Sequence, residues 1–154
     1  MPLHLKDILT PDMIWPDVGA SSKLALLEEL GQRIGSARGL DGKNIARILI
    51  DREEIGSTGL EDGVAIPHGK FPRLKEVLLA CARTSGGIDF DAQDGQPSRL
   101  FFVLLAPEES AGMHLKVLAR LSRLLKSSSL RSRLLSAASA QEMHDSLIQE
   151  DEKI

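Results

Sequence analysis

Apolar residues recur at helical spacing near the start of the chain, and they predict a first long helix. Its stripe consists of Leu24, Leu27, Leu30 and Ile34. Ser21 or Ser22 offers a side-chain cap for the start of this helix. Gly35 and Gly39 supply a stop, because glycine accepts the backbone geometry at a helix C-terminus. We therefore predict an amphipathic helix in this segment.

Shorter stripes predict further elements on either side of this helix. A second helix is predicted from about Asp41 to Glu54, with an apolar stripe at Ile45, Ile48 and Leu49. Near the N-terminus, Leu5–Leu9 is a short helix candidate that ends before Pro11. Met13–Trp15 is predicted as a short strand. The first third of the chain is thus mainly helical.

The middle of the chain changes from helical spacing to short continuous apolar runs. Val64–Ile66, Val77–Ala82 and Leu100–Ala106 are such runs. Runs without polar alternation are typical of strands that are covered on both faces. Asp94 and Gly95 form a turn signal between the second and third runs. The pattern predicts buried strands here.

The last third returns to helical spacing. Helices are predicted at His114–Lys126 and Leu130–Ala138, and Ser139 with Glu142 forms a capping box for a last helix to about Gln149. Because helices flank the strands on both sides in sequence, the predicted fold class is mixed α/β (α+β). It consists of a single mixed β-sheet with helices on both faces, a three-layer sandwich. The length of 154 residues favours one domain over 1–154.

Composition narrows the function classes. Hydrophobic residues make up 42% of the chain and charged residues 27%, which is ordinary for a globular protein. The formal net charge of -3 argues against nucleic-acid binding by the whole molecule. Met1–Thr10 lacks the apolar core of a secretory signal, and no apolar run is long enough to span a membrane. With a lone cysteine, Cys81, inside an apolar run, we expect a reduced cytoplasmic protein.

The chemically informative stretch is Arg52–Lys70. It holds four glycines, Pro67 and His68, and two hydroxyl residues, Ser57 and Thr58. Pro67 fixes its own φ, so we expect the strand to end abruptly and His68 to sit on a sharp exit from it. We expect Gly69 to leave room beside the imidazole.

A histidine held in this way is suited to covalent phosphoryl transfer. Neutral imidazole has a free lone pair and titrates near physiological pH. Phosphoryl transfer depends mainly on positioning and charge stabilisation, which Arg52 supplies best, with Ser57 and Thr58 as hydroxyl donors. A single histidine beside Pro and Gly is more often a structural turn residue, so these residues alone leave both interpretations open.

The order of the motifs resembles one known family. Gly56–Gly59 (Gly-Ser-Thr-Gly) followed by Gly63–Gly69 (Gly-Val-Ala-Ile-Pro-His-Gly) resembles the phosphorylation-site signature of phosphotransferase-system (PTS) type IIA proteins of the fructose, mannitol and nitrogen-regulatory branches. Arg52-Glu53 stands where that family has an Arg-Glu pair. Three further segments are similar to its hairpin, strand and second-histidine helix: Asp89–Pro97, Leu100–Pro107, and His114-Leu115 with Leu118-Ala119.

The resemblance implies a phosphotransferase-type protein with a phosphohistidine intermediate. His68 is then the phosphoryl acceptor, through Nε2, and the donor is a phosphohistidine on a small HPr-like phosphocarrier protein. Arg52 and His114 flank the phosphoryl group, and Thr58 is a further candidate for orienting it. No metal or organic cofactor is implied. Without the resemblance, the favoured interpretation of His114 is a packed, hydrogen-bonded core histidine.

Two N-terminal segments, Leu5–Leu9 and Ser22–Leu30, look most like the nitrogen-regulatory branch. A free-standing module also suits a regulator of the nitrogen, potassium or carbon metabolism type. Its implied partners are a transporter, a sensor kinase or a metabolic enzyme. Two alternatives remain: a sugar-specific IIA component that relays phosphate to a IIB carrier, and a non-catalytic binding module. The acidic Glu61-Asp62 departs from the typical loop and bears on partner choice.

The remaining motifs point to no other chemistry. His4 and His144 have no partners at metal-ligand spacing, and there is no serine-hydrolase elbow. Three cations share one helical face: Lys116, Arg120 and Arg123. That face is either a solvated surface or a docking patch for an acidic partner. Nucleic-acid binding is disfavoured there because aromatic residues are not interleaved.

Overall fold

The computed structural model describes residues 3–154, so the part of the Met1–Thr10 prediction that concerns residues 1 and 2 lies outside the described residues. The described chain forms five α-helices: α1 (Lys23–Arg38), α2 (Gly42–Ile55), α3 (Ala111–Leu124), α4 (Ser128–Ser136) and α5 (Ala140–Asp151). It also forms five strands: β1 (Ile14–Trp15), β2 (Val64–Ala65), β3 (His68–Lys70), β4 (Leu78–Ile88) and β5 (Ser98–Ala106). None of the helices within this range has the length and apolar character needed to cross a membrane.

The strands form one mixed sheet around β5. β4 pairs with β5 antiparallel on one edge, and β2 and β3 both pair with it in parallel on the other edge. β1 lies parallel to β4 at the outside of the sheet. The predicted mixed sheet is confirmed.

β2 and β3 behave as one edge strand interrupted at Pro67. Val64 lies opposite Leu100 and His68 opposite Leu104, so the register is the same on both sides of the interruption. Pro67 has no N–H to donate, but its carbonyl accepts a hydrogen bond of 3.0 Å from the backbone N–H of Leu104. The predicted abrupt end of the strand before Pro67 is confirmed, because β2 ends at Ala65. The predicted sharp exit at His68 is wrong, because His68 is the first residue of β3.

Both faces of the sheet are covered. The residues of β5 from Leu100 to Ala106 alternate between the two faces, and each is at most 1% exposed. On the β3 side, a Cβ at Gly69 would lie 2.5 Å from Cγ2 of Ile48 in α2, so the glycine admits close packing of this helix. The predicted three-layer arrangement is confirmed.

The first helix begins at a predicted cap and ends at Gly39, the second of the two predicted stop residues. Oγ of Ser22 accepts a hydrogen bond of 3.2 Å from the N–H of Ala25, and Gly39 ends α1 with φ of +67°. Gly35 is not a stop. It lies inside α1, where a Cβ would come 2.8 Å from the backbone nitrogen of Gly42. Gly35 therefore allows α1 and α2 to approach closely.

Among the C-terminal helices, α3 begins earlier than predicted, whereas α5 begins at the predicted Ser139 cap. α3 begins at Ala111, so His114 lies in its first turn instead of opening the helix. At α5, Oγ of Ser139 accepts from the N–H of Glu142 at 3.1 Å, as a capping box requires. The Glu142 carboxylate accepts from the N–H of Ala138 at 2.6 Å, so the box is displaced by one residue.

The two ends of the described chain are joined by a buried carboxylate. Asp151 is 1% exposed and accepts hydrogen bonds from Leu5 N–H at 2.9 Å and from Nε of Arg120 at 2.6 Å.

The N-terminal segment forms two short 3-10 turns. The helix predicted at Leu5–Leu9 is shorter than expected and is a 3-10 turn over Leu5–Asp7. A second 3-10 turn over Pro11–Met13 begins at the proline that was expected only to end the first.

Candidate functional site

His68 is held in one tautomer by its own backbone. Its Nδ1 lies 2.7 Å from the carbonyl oxygen of Ile66. A carbonyl oxygen only accepts, so Nδ1 carries the hydrogen and Nε2 keeps its lone pair. The strand geometry on both sides of Pro67 brings the Ile66 carbonyl to this position. The site therefore presents Nε2 as the available nucleophile.

The surroundings keep the His68 imidazole neutral. Burial lowers the pKa of His68 most, and the Arg52 guanidinium lowers it further. The hydrogen bond to Ile66 and the negative charge of Glu53 act in the opposite direction without reversing the net lowering. A neutral ring at pH 7 has the lone pair that nucleophilic attack requires.

His114 meets His68 from the first turn of α3. The two ring centroids are 5.3 Å apart, with an interplanar angle of 82° that makes the contact edge to face. Nε2 of His114 is buried and has no hydrogen-bond partner among residues 3–154. Burial lowers the pKa of His114 most, followed by the charges of His68, Lys70 and Arg52. The structure thus brings together the two predicted histidines.

Arg52 lies in the last turn of α2. Its Nη1 donates a hydrogen bond of 2.9 Å to the carbonyl oxygen of Gly56, just after the helix. A guanidinium has five N–H donors, so this bond leaves others free. The positive charge of Arg52 lowers the pKa of both His68 and His114, so it acts on both rings.

Thr58 is placed close to the site but is bonded elsewhere. It is buried, and its hydroxyl and its N–H both donate to the carboxylate of Glu53, the latter at 3.1 Å. Its carbonyl accepts from the N–H of Ile66 at 3.1 Å. Since the hydroxyl hydrogen is committed to Glu53, the structure shows Thr58 as part of the loop framework. Its role in orienting a phosphoryl group stays a prediction.

The second hydroxyl of the motif is also engaged in the loop. Oγ of Ser57 donates to the carbonyl oxygen of Phe90 at 2.5 Å and accepts from the N–H of Gly59 at 3.0 Å. A Cβ at Gly59 would lie 2.9 Å from Cα of Ala92, so this glycine lets the segment around Phe90 pack against the loop. Ser57 therefore fixes the loop between α2 and β2.

Sequence reasoning missed Lys23, the partner of Glu53. Nζ of Lys23 lies 2.9 Å from Oε1 of Glu53, whose carboxylate is nearly buried. In the sequence, Lys23 is an ordinary polar residue at the start of a helix, and only helix packing brings it to Glu53. No local signal identifies the pair.

The predicted basic face of α3 is divided. Lys116 and Arg123 are exposed, whereas Arg120 forms an ion pair with Asp151.

The other candidate residues lie outside the site. His144, expected to be an ordinary surface or boundary residue, places Nε2 3.0 Å from the carbonyl oxygen of Leu9. No cluster of three or more His, Cys, Asp or Glu side chains suited to a metal ion occurs among residues 3–154. Cys81 is buried in β4, and burial raises the pKa of its thiol to about 12.

This arrangement of sheet and helices is the fold of PTS IIA proteins. The crystal structure of the nitrogen regulatory protein IIA-Ntr from Neisseria meningitidis superposes with a TM-score of 0.87 and 38% identity, covering 93% of this chain and 98% of that one. The chain belongs to the family described as phosphoenolpyruvate-dependent sugar phosphotransferase system, EIIA 2, whose model matches residues 7–150. The resemblance inferred from the motifs is confirmed.

Two curated relatives represent different branches. A nitrogen regulatory protein of Bradyrhizobium diazoefficiens is 38% identical over 145 residues, which are 94% of this chain and 95% of that protein. The fructose-specific EIIABC component of Bacillus subtilis is 31% identical over 150 residues, 97% of this chain but 24% of that protein. The chain is therefore similar to nitrogen regulatory proteins over nearly the full length of both.

Proposed function

We propose that this chain is a phosphocarrier whose His68 accepts a phosphoryl group at Nε2. The donor is a phosphohistidine on a small HPr-like phosphocarrier protein, and the output is regulatory. The hydrogen bond of 2.7 Å between Nδ1 of His68 and the Ile66 carbonyl carries the proposal. It leaves only Nε2 with a free lone pair and fixes the ring before the donor arrives, so the orientation need not be established during transfer.

The proposed step exchanges one N–P bond for another. The Nε2 lone pair of His68 attacks phosphorus while the bond to the donor imidazole nitrogen breaks, and that bonding pair returns to the donor ring. The hydrogen on Nδ1 stays there, bonded to Ile66, and the resulting positive ring is balanced by the negative phosphoryl oxygens. No proton has to move, and no metal ion or organic cofactor enters the step.

Arg52 and His114 are the residues we assign to the phosphoryl oxygens. Arg52 retains free guanidinium donors beside its bond to Gly56, and its charge already acts on both histidines. The ring of His114 contacts His68, and its Nε2 has no hydrogen-bond partner among the described residues. Charge-assisted bonds from such groups stabilise a transferring phosphoryl group.

The donor protein is expected to dock over large apolar side chains near these residues in the sequence. Ile55 follows Arg52 in the last turn of α2 and is 83% exposed. Met113 and Leu115 flank His114 and are 41% and 66% exposed. Large apolar side chains are enriched at protein contacts, and these three lie close in the sequence to the two residues proposed to bind phosphate.

The similarity to nitrogen regulatory proteins supports a regulatory output. A phosphoryl group adds negative charge and acceptor oxygens at His68, which creates or removes contacts with a target surface. The proposed targets are a transporter, a sensor kinase or a metabolic enzyme, reached in the cytoplasm. Glu61 and Asp62 add negative charge to the loop before β2 and are candidates for selecting among targets.

The second candidate function is relay of phosphate to a IIB carrier for sugar uptake. It is favoured by the similarity to the fructose-specific component, which spans nearly all of this chain. Both functions begin with phosphoryl transfer to His68. They differ in whether the phosphoryl group then passes to a IIB carrier. Loss of phosphate from phosphorylated His68 on addition of a fructose-type IIB carrier would favour relay.

The experiment is intact-protein mass spectrometry after incubation with phosphoenolpyruvate, the first enzyme of the phosphotransferase chain and its small phosphocarrier. We expect an acid-labile phosphoryl adduct on the wild type and none on His68→Ala. His144→Ala serves as the matched histidine control, because His144 is bonded to Leu9 away from the site, and it should be phosphorylated normally. No adduct on the wild type, with a known acceptor phosphorylated in parallel, would contradict the carrier function.

A further inference from the structure

Lys23 begins α1, but its ammonium group reaches the last part of α2. Nζ lies 2.9 Å from Oε1 of Glu53 and 4.6 Å from the centroid of the Phe90 ring. The Lys23 side chain is 22% exposed and that of Glu53 is 5% exposed. An ion pair so far withdrawn from water interacts more strongly than a surface pair, and the loss of one partner leaves the other charge poorly solvated.

A continuous series of hydrogen bonds leads from this ion pair to His68. Glu53 accepts from the hydroxyl and from the N–H of Thr58. The Thr58 carbonyl accepts from the N–H of Ile66 at 3.1 Å. The Ile66 carbonyl in turn accepts from Nδ1 of His68 at 2.7 Å. The carboxylate that pairs with Lys23 is thus connected, through Thr58, to the Ile66 carbonyl that sets the His68 tautomer.

Phe90 provides a second connection to the same loop. Lys23 lies over the Phe90 ring, and the Phe90 carbonyl accepts the Ser57 hydroxyl. Lys23 therefore contacts both of the groups, Glu53 and Phe90, that bind the loop residues Ser57 and Thr58. A cation placed over an aromatic face and beside a carboxylate is favourable to both.

We propose that Lys23 is a positioning residue for phosphoryl acceptance. By holding the Glu53 carboxylate it fixes Thr58, and through Thr58 it fixes the Ile66 carbonyl that orients His68. Lys23 does not touch the reacting atoms. This inference rests on the proposed function of His68, but its first readout does not require phosphate.

The ion pair also balances charge around His68. Arg52 and Glu53 from α2 act on the pKa of His68. His114 from α3 contacts the His68 ring, and its own pKa is lowered by His68, Lys70 and Arg52. The negative charge of Glu53 favours a protonated His68 ring, and the positive charge of Lys23 offsets it. Removing Lys23 should therefore raise the His68 pKa, whereas removing the charge of Glu53 should lower it.

The test begins with nitrogen-15 NMR titration of the unphosphorylated protein, which reports the tautomer and the pKa of His68. Lys23→Met should raise this pKa and reduce the share of the Nδ1–H tautomer. In the phosphocarrier assay the same variant should slow phosphorylation about tenfold, below the roughly 100-fold cost of a displaced reacting group. Lys23→Arg keeps a cation and should recover most of the rate.

Arg33→Met is the matched control. Arg33 also lies on α1, pairs with Glu29 at 2.8 Å and lies 5.9 Å from the centroid of the Trp15 ring, but neither partner bonds to the His68 loop. Asp91→Asn is the second control, because Asp91 is the exposed partner of Lys23 at 3.4 Å. Both controls should leave the His68 pKa, tautomer and phosphorylation rate unchanged.

The direction in which the His68 pKa changes distinguishes coupling between Lys23 and Glu53 from a general disturbance of the fold. Glu53→Gln should lower the His68 pKa, and Lys23→Met combined with Glu53→Gln should lie closer to wild type than Lys23→Met alone, because coupled residues give non-additive effects. A folded Lys23→Met with the wild-type pKa and tautomer overturns the proposal. If Lys23→Met does not fold, Lys23→Gln takes its place, and a wild-type His68 pKa and tautomer in folded Lys23→Gln overturns the proposal.

Failure of the carrier function gives a different result. In that case the wild type acquires no phosphoryl group, but the NMR changes in the variants are unaffected. Expected NMR changes without phosphorylation would thus retain the positioning of His68 and reject the carrier function. Normal phosphorylation of the wild type with no NMR change in Lys23→Met would support the carrier function and reject the positioning role of Lys23.

Discussion

His114 meets the ring of His68 edge to face, with centroids 5.3 Å apart, although the two residues lie on a helix and a strand far apart in sequence. The contact has an electrostatic consequence, since the charge of His68 lowers the pKa of His114 and burial lowers both. Two neutral rings therefore share one site near pH 7. His68 has a free lone pair at Nε2, and Nε2 of His114 has no hydrogen-bond partner within the part of the chain that the structure describes.

The lowered pKa values predict how stability depends on pH. Both histidines have a pKa below the ordinary value of 6.5, so the unfolded state binds more protons once the pH falls through 6.5. Folding stability should then decrease as the pH falls from 6.5 toward the lowered native pKa values. Urea unfolding at several pH values checks this. The variant His68→Gln/His114→Gln should show a weaker decrease over that window, and an equal decrease would assign the effect to other groups.

Arg52→Ala should slow phosphorylation of His68 without unfolding the protein. Loss of one preorganised charged donor costs about 100-fold in rate at comparable sites. The lost bond to the Gly56 carbonyl is exposed, so the free energy of unfolding should fall by no more than about 1 kcal/mol. Single-turnover phosphorylation and urea unfolding measure the two quantities. An unchanged rate in the folded variant would remove Arg52 from the site.

Gly69→Ala should disturb both packing and transfer. The added Cβ would lie 2.5 Å from Cγ2 of Ile48, so α2 or β3 has to shift, at a cost of about 1–3 kcal/mol for overpacking. Because β3 also carries His68, the rate should fall as well. Ile48→Ala removes the opposing methyl group, so the double variant Ile48→Ala/Gly69→Ala should be phosphorylated faster than Gly69→Ala. If the double variant is not phosphorylated faster than Gly69→Ala, the added Cβ does not act through its contact with Ile48.

Asp151→Asn should destabilise the fold and spare the site. Removing the charge of a buried carboxylate weakens its bonds to Arg120 and to the Leu5 N–H. Breaking a fully buried pair costs about 3–5 kcal/mol, and since Arg120 is one-fifth exposed we expect about 2–3 kcal/mol. Urea unfolding measures the loss. The folded variant should be phosphorylated at the wild-type rate, and a reduced rate would indicate coupling between Asp151 and the site.

The sequence alone determined the elements whose signals are local. Ser22 caps α1 and Gly39 ends it because each acts on its own neighbouring backbone. The apolar run Leu100–Ala106 lies within β5 and is buried, as a strand without polar alternation requires. The ordered motif from Arg52 to Lys70 was sufficient to identify the family, because its spacing is a property of the chain itself.

Only the tertiary structure decided the relationships between distant residues. β4 continues beyond the apolar run at Val77–Ala82 because its backbone keeps pairing with β5, where Arg83 lies opposite Leu100 and Ile88 opposite Ser98. Lys23 reaches Glu53 because α1 and α2 pack together, and His68 takes one tautomer because the strand register places the Ile66 carbonyl at Nδ1. Side-chain periodicity specifies which face of an element is buried, but contacts between elements depend on how those faces pack.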